Sequence, residues 1–169
     1  MPTRTQFALA ILLSIFAPFV CPAQTMPQTQ GQTLSGKSIV LSQVTAGRTV
    51  VLVAGFSRKG GNGCGPWARQ LRADPAFAAV PVYPISMLEA APRLLRGMIV
   101  NGMKKDVSLT DQDTFVVLVQ DDSAWKQFFS VTSDDDPYVA LIAANGQILW
   151  HGHGSPENLE PLVRAALPH

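Results

Sequence analysis

Cysteine is scarce in this chain of 169 residues: there are two, Cys21 and Cys64. Charge of either sign is also scarce, with 13 Lys and Arg against 12 Asp and Glu and a net charge of +1. That balance supplies no basic excess to hold nucleic acid or an anionic membrane, so the scattered charges read as a solvated surface. A long hydrophobic run is missing as well. The apolar segment "FALAILLSIFAPFV", Phe7 to Val20, has fourteen residues, too few for a comfortable bilayer span of about 20. Phosphate-loop, zincin and dinucleotide-binding signatures are absent, as are repeats and long linkers. What remains is one ordinary globular domain, 47% hydrophobic, with enough apolar residues for a core.

The short apolar run has a different explanation. Arg4 precedes it and "CPAQ" follows, which gives a positive n-region, a short h-region and a small-residue cleavage site after Ala23. Residues 1–23 are therefore expected to be a signal peptide, and the protein to be periplasmic or secreted, with no stable membrane span after cleavage. Val20 is too large for the position before a lipidated cysteine, which argues against a lipoprotein. Cys21 leaves with the leader, so the mature chain keeps only Cys64 and cannot form an internal disulfide.

Residues 24–33, polar and rich in Gln and Thr, are expected to be a flexible lead-in, with a folded domain over 34–169. "SIVLSQV" suits a short edge strand or hairpin arm. "RTVVLVAGFS" and "VPVYPISML" are β-branched runs suited to strands buried on both faces. Between them, "RKGGNG" reads as a loop, and a helix is expected from about Gly65, with Pro66 in its first turn. A second helix over 91–105 places Leu95, Met98, Ile99 and Gly102 at helical spacing. Strand "TFVVLVQ", a helix carrying Trp125, Phe128 and Phe129, and a hairpin turning at Asn145-Gly146 follow. Ser155-Pro156 opens a last helix expected to bury Leu159, Leu162, Val163 and Ala166. This order gives a three-layer α/β/α sandwich on a mixed sheet.

The order of elements, with Cys64-Gly65-Pro66-Trp67 at a helix start and "DPYVALIAANGQILW" downstream, resembles the thioredoxin-like superfamily. The likeness spans roughly Leu34 to Leu167. The extra helix and strand between Met87 and Gln120 resemble the insertion of the peroxiredoxin-like and periplasmic disulfide-reductase branches. "PRLLRGMIVNGMKKD" together with "YVALIAANGQILWHGHGSPENLEPL" is also similar to the mitochondrial ATP synthase assembly factor family and its bacterial relatives. Those share the frame without depending on a cysteine pair.

The resemblance implies that Cys64 takes the place of the nucleophilic thiol, where a helix start favours thiolate. Trp67 stands where a resolving cysteine would be, so a mixed disulfide on Cys64 has no internal release. Pro137 matches the cis-proline whose loop faces the thiol, and Asp136 precedes it. Carboxylates at Asp134–Asp136 opposite Cys64 are expected to raise its pKa against the helix start. Cys64 is thus the candidate catalytic residue, and Pro66, Trp67, Asp136 and Pro137 are the candidate binding residues. The function expected is non-enzymatic binding or assembly with a protein or peptide partner in the exported compartment. The alternative is a monothiol oxidoreductase or peroxidase-like enzyme using an external resolving thiol. The peroxidase form is weakened because the nearest upstream hydroxyl, Ser57, lies across a glycine loop. His151 and His153 share a strand face but are too few for a tight metal site. No metal and no cofactor are assigned.

Overall fold

The computed structural model describes residues 25–168, so the expected leader, residues 1–23 with Cys21, lies outside the described residues. Seven strands form one sheet in the order β2-β1-β5-β4-β3-β6-β7. They are β1 (Gln30–Thr33), β2 (Ser38–Val40), β3 (Val50–Gly55), β4 (Val82–Met87), β5 (Val116–Leu118), β6 (Tyr138–Ile142) and β7 (Ile148–His153). β3, β4 and β5 are parallel neighbours, and the remaining pairs are antiparallel. The helices are α1 (Leu41–Val44), α2 (Arg58–Ala73), α3 (Arg93–Asp106), α4 (Asp122–Phe129) and α5 (Pro156–Ala165).

The strands form where β-branched runs are buried on both faces: every residue of β3, β4, β5 and β6 is buried. Alternate residues then feed two apolar layers. Leu52, Ala54, Ile85 and Leu118 meet Trp125, Phe128 and Phe129 of α4 on one face. Val51, Val53, Val82 and Val139 meet Cys64, Trp67 and Leu71 of α2, together with Val163 of α5, on the other. The three-layer α/β/α sandwich on a mixed sheet is present, and the inserted helix-strand unit is α3 followed by β5. A register irregularity at Leu141/Ile142 bends the β6–β7 ladder.

Three expectations change. The polar segment read as a flexible lead-in contains β1, which bonds to both β2 and β5. Its anchors are the buried Met26 and Thr29, the latter accepting a hydrogen bond from Trp125 Nε1 at 3.0 Å. Along α5, Leu162 is 52% exposed, while Val163 is fully buried. On α3, Leu95 and Met98 face outward, and Ile99, Val100 and Met103 are the residues packed on Leu34, Leu88 and Val117.

Candidate functional site

The glycine run "RKGGNG" is helical. Ser57 ends β3's exit in an extended conformation, and its Oγ accepts from the backbone N–H groups of Lys59 and Gly60, both at 3.1 Å. α2 therefore begins at Arg58, and Cys64 sits beyond its first turn instead of at its N-terminus. Glycines oppose a helix by about 1 kcal/mol each, so tertiary packing must require them. It does: a Cβ at Gly60 would stand 2.6 Å from the Asp134 carbonyl, and one at Gly63 would stand 2.6 Å from Pro137 Cγ. The loop before β6 lies directly on these two glycines. Pro66 falls inside the helix and is exposed, and it cannot donate to the carbonyl of Asn62.

Cys64 is fully buried in the apolar layer between α2 and the sheet, and its thiol donates to the Gly60 carbonyl at 3.7 Å. Burial pushes its pKa up to about 12. The expected direction holds, but the cause differs. The carboxylates of the 134–136 loop are engaged elsewhere: Asp134 with Lys126 at 2.7 Å, Asp135 with Lys59 at 3.4 Å, and Asp136 with His153 Nδ1 at 3.1 Å. A helix-terminus effect fades within the first turn, so nothing offsets the desolvation of the thiolate.

Trp67 is a core residue. It is fully buried, and its indole N–H donates to the Gly154 carbonyl at 2.7 Å. Gly154 N–H in turn donates to the Pro137 carbonyl at 3.0 Å. Trp67, Gly154 and Pro137 thus tie α2 to the end of β7 and the start of β6. No peptide bond among the described residues is cis, the Asp136–Pro137 bond included. The Pro137 ring lies against Gly63.

Of the candidate residues, Cys64 and Trp67 are buried, Asp136 and Pro137 are partly exposed, and Pro66 is exposed. His153 stacks on Tyr138 with centroids 5.1 Å apart and binds Asp136, while exposed His151 pairs across the ladder with Ala140. No group of three His, Cys, Asp or Glu among the described residues could hold a metal ion. Sequence reasoning missed Ser57 as the cap, Gly60 and Gly63 as seats for the loop, and Gly154 as the indole acceptor. A serine preceding a charged, glycine-containing run was the one legible signal, and the glycines masked it.

No protein-family profile matches the chain, and no curated protein matches it in sequence. Solved structures do share its architecture. The pneumococcal exposed lipoprotein thioredoxin Etrx1 from Streptococcus pneumoniae strain TIGR4 superposes with a TM-score of 0.57 at 15% identity, over 82% of this chain and 99% of that one. The fold is thioredoxin-like. A thiol:disulfide interchange protein DsbE from Chlorobium tepidum gives a TM-score of 0.56 at 20% identity, over 86% of this chain and 97% of its own. BsSco, of the Sco family of cytochrome c oxidase assembly proteins, gives 0.54 at 13% identity, over 86% of this chain and 94% of its own. At these identities the thioredoxin-like frame is what is shared. Within it, Cys64 has the surroundings of a core residue.

Proposed function

We propose that the protein is an exported, non-enzymatic binding or assembly factor built on the thioredoxin-like frame. The observation that carries this reading is the burial of Cys64 on the core side of α2, beside the equally buried Trp67. A thiol held protonated at neutral pH is a poor nucleophile. The members of the candidate site that a partner can touch are then Pro66, Asp136 and Pro137, the rim of the closed surface. The leader-like N-terminus supports export, and so does the resemblance in fold to an exposed lipoprotein thioredoxin. A protein or peptide is the partner class proposed.

The test is alkylation of Cys64 in the native protein at pH 7, compared with the same protein in urea. A pKa near 12 in place of 9.0 leaves about a thousandfold less thiolate, so native alkylation is expected to be slower by that order. Native and unfolded rates of similar size would overturn the reading.

The monothiol oxidoreductase is the second reading, favoured by the thiol–disulfide interchange proteins among the structural neighbours. It requires the 134–137 loop to lift from Gly60 and Gly63. Its mark is turnover of a mixed-disulfide substrate when glutathione is added, lost in Cys64→Ser.

A further inference from the structure

α3 is seated differently from α2. α2 buries Cys64, Trp67, Ala68 and Leu71, whereas no residue of α3 is buried. Leu94 is 96% exposed and Met98 66% exposed, one helical turn apart on the same ridge. A groove of about 660 Å³ lies between α3 and the β1–β2 hairpin. Val100, Val117 and Val119 give the groove an apolar lining. Gln32, Asn101 and Gln120 add exposed side-chain amides, which can pair with a peptide backbone.

Charge selects among occupants. Arg96 is the one charged residue lining the groove. Its guanidinium donates to the carbonyls of Ala91 at 3.0 Å and Glu89 at 2.7 Å, and it has no carboxylate partner among the described residues. The nearby Glu89 carboxylate is taken by the backbone N–H of Asp122 at 2.7 Å. Arg93, Lys104 and Lys105 of α3 also make no ion pair among the described residues. Gly97, at the groove wall, has nothing within 4 Å of where its Cβ would be, which leaves room for a chain to approach.

We propose that the groove between α3 and the β1–β2 hairpin binds an extended acidic polypeptide segment of a partner, with a carboxylate on Arg96 and apolar side chains against Val100, Val117 and Val119. A concave, amide-bearing groove suits a peptide better than a flat lipid surface. The proposal rests on the binding-factor reading, and it places the partner's main contact away from Cys64.

The probe is a fluorescein-labelled peptide alternating glutamate and valine, added to the mature protein and followed by anisotropy and by amide chemical shifts. Binding that weakens with added salt is expected, with shifts confined to β1, β5 and α3. Gly97→Glu should weaken it at least about tenfold, as a lost charge-assisted contact does. Gly97→Ala should leave it unchanged, which separates charge from helix stability. Cys64→Ser should also bind normally, so the alkylation result and this one can fail separately. The proposal is overturned by no binding, by equal binding of a peptide with lysine for glutamate, or by shifts elsewhere. It is equally overturned if α3 instead binds phosphatidylglycerol vesicles or a second copy of this chain.

Discussion

The indole N–H of Trp67 donates to the carbonyl of Gly154 at 2.7 Å, joining α2 to the turn that leads into α5. The bond is shielded because Trp67 is fully buried among Val51, Val139, Leu141 and Val163. Trp67→Phe keeps much of the apolar volume and leaves the Gly154 carbonyl without this donor, at a cost of about 1–3 kcal/mol. Trp67→Cys, which recreates a Cys64-x-x-Cys spacing, also removes most of the packed ring, and about 3–5 kcal/mol is lost for a truncation of that size. Urea denaturation should rank wild type above Trp67→Phe and Trp67→Cys lowest. Disulfide reductase activity in a still-folded Trp67→Cys protein would contradict the burial argument.

The glycines of α2 make an internal contrast. Alanine at Gly61 meets open space and gains helix propensity, so Gly61→Ala should stabilise by up to about 1 kcal/mol. Alanine at Gly60 runs into the backbone carbonyls of Asp134 and Asp136, at 2.6 and 2.8 Å. Gly63→Ala strikes the Pro137 ring at 2.6 Å. Both of these should destabilise despite the same gain in propensity, and thermal melts of the three variants decide it. Stabilisation by Gly63→Ala would mean that Pro137 does not rest on α2.

These glycines also show where the sequence could be read and where it could not. β3, β4 and β6 were visible because "VVLV", "VYPIS" and "YVALI" are buried on both faces and carry β-branched or aromatic side chains. Gly146, at a φ of 84°, announced the β6–β7 hairpin through Asn145-Gly146. The start of α2 was hidden because local propensity points to a loop, and only contact with the 134–137 loop makes helix the better state. β1, "QGQT", has no apolar signal of its own. It joins the sheet through backbone pairing, with Gly31 close enough to Leu118 that a Cβ would approach to 2.5 Å. The burial of Cys64 and Trp67 was not legible, since it depends on packing against residues such as Val139, more than sixty positions away. The same blindness applies to α3, whose helical spacing was legible while its loose seat on the sheet was not.

Cys64 gives a pH dependence whose sign follows from burial. Its pKa is raised from 9.0 to about 12 in the folded protein. The stabilising effect of a protonated, buried thiol is thus fully present below pH 9, and it is lost as pH rises from there through the folded value. Cys64→Ala leaves a small cavity and should be less stable than wild type at pH 7 by about 1 kcal/mol. Because it lacks the titrating group, the variant should lose less stability towards pH 11, and the gap should close. Urea midpoints of both proteins between pH 7 and 11 measure this, and parallel curves would show that the thiol titrates normally.

The contact between α2 and α5 carries a second titration. Asp74, at the end of α2, and Glu160, in α5, face each other with Asp74 Oδ2 and Glu160 Oε1 shielded from solvent and given no N–H or O–H donor. Burial first, and then the neighbouring Asp74 carboxyl, push the Glu160 pKa up. The backbone N–H of Ala76, at 2.9 Å, leads the effects that hold Asp74 below the usual carboxylate range. Arg164 Nη1, 3.6 Å from Asp74 Oδ2, is the one cation paired with it. The Glu160 contribution is therefore present below pH 4.5 and is lost as pH rises through its raised folded value. The Asp74 contribution runs the other way, present above pH 3.8 and lost on acidification. With both groups ionised, two carboxylates sit together with one exposed arginine to balance them. Glu160→Gln removes one charge and supplies an amide donor for Asp74, so its melting temperature should exceed that of wild type at pH 7. At pH 4, where Glu160 is protonated, the difference should shrink towards zero. Asp74→Asn should not reproduce this gain, because it weakens the acceptor that caps Ala76 N–H and the partner of Arg164. A Glu160→Gln protein that melts below wild type at pH 7 would mean that the pair is held apart in solution.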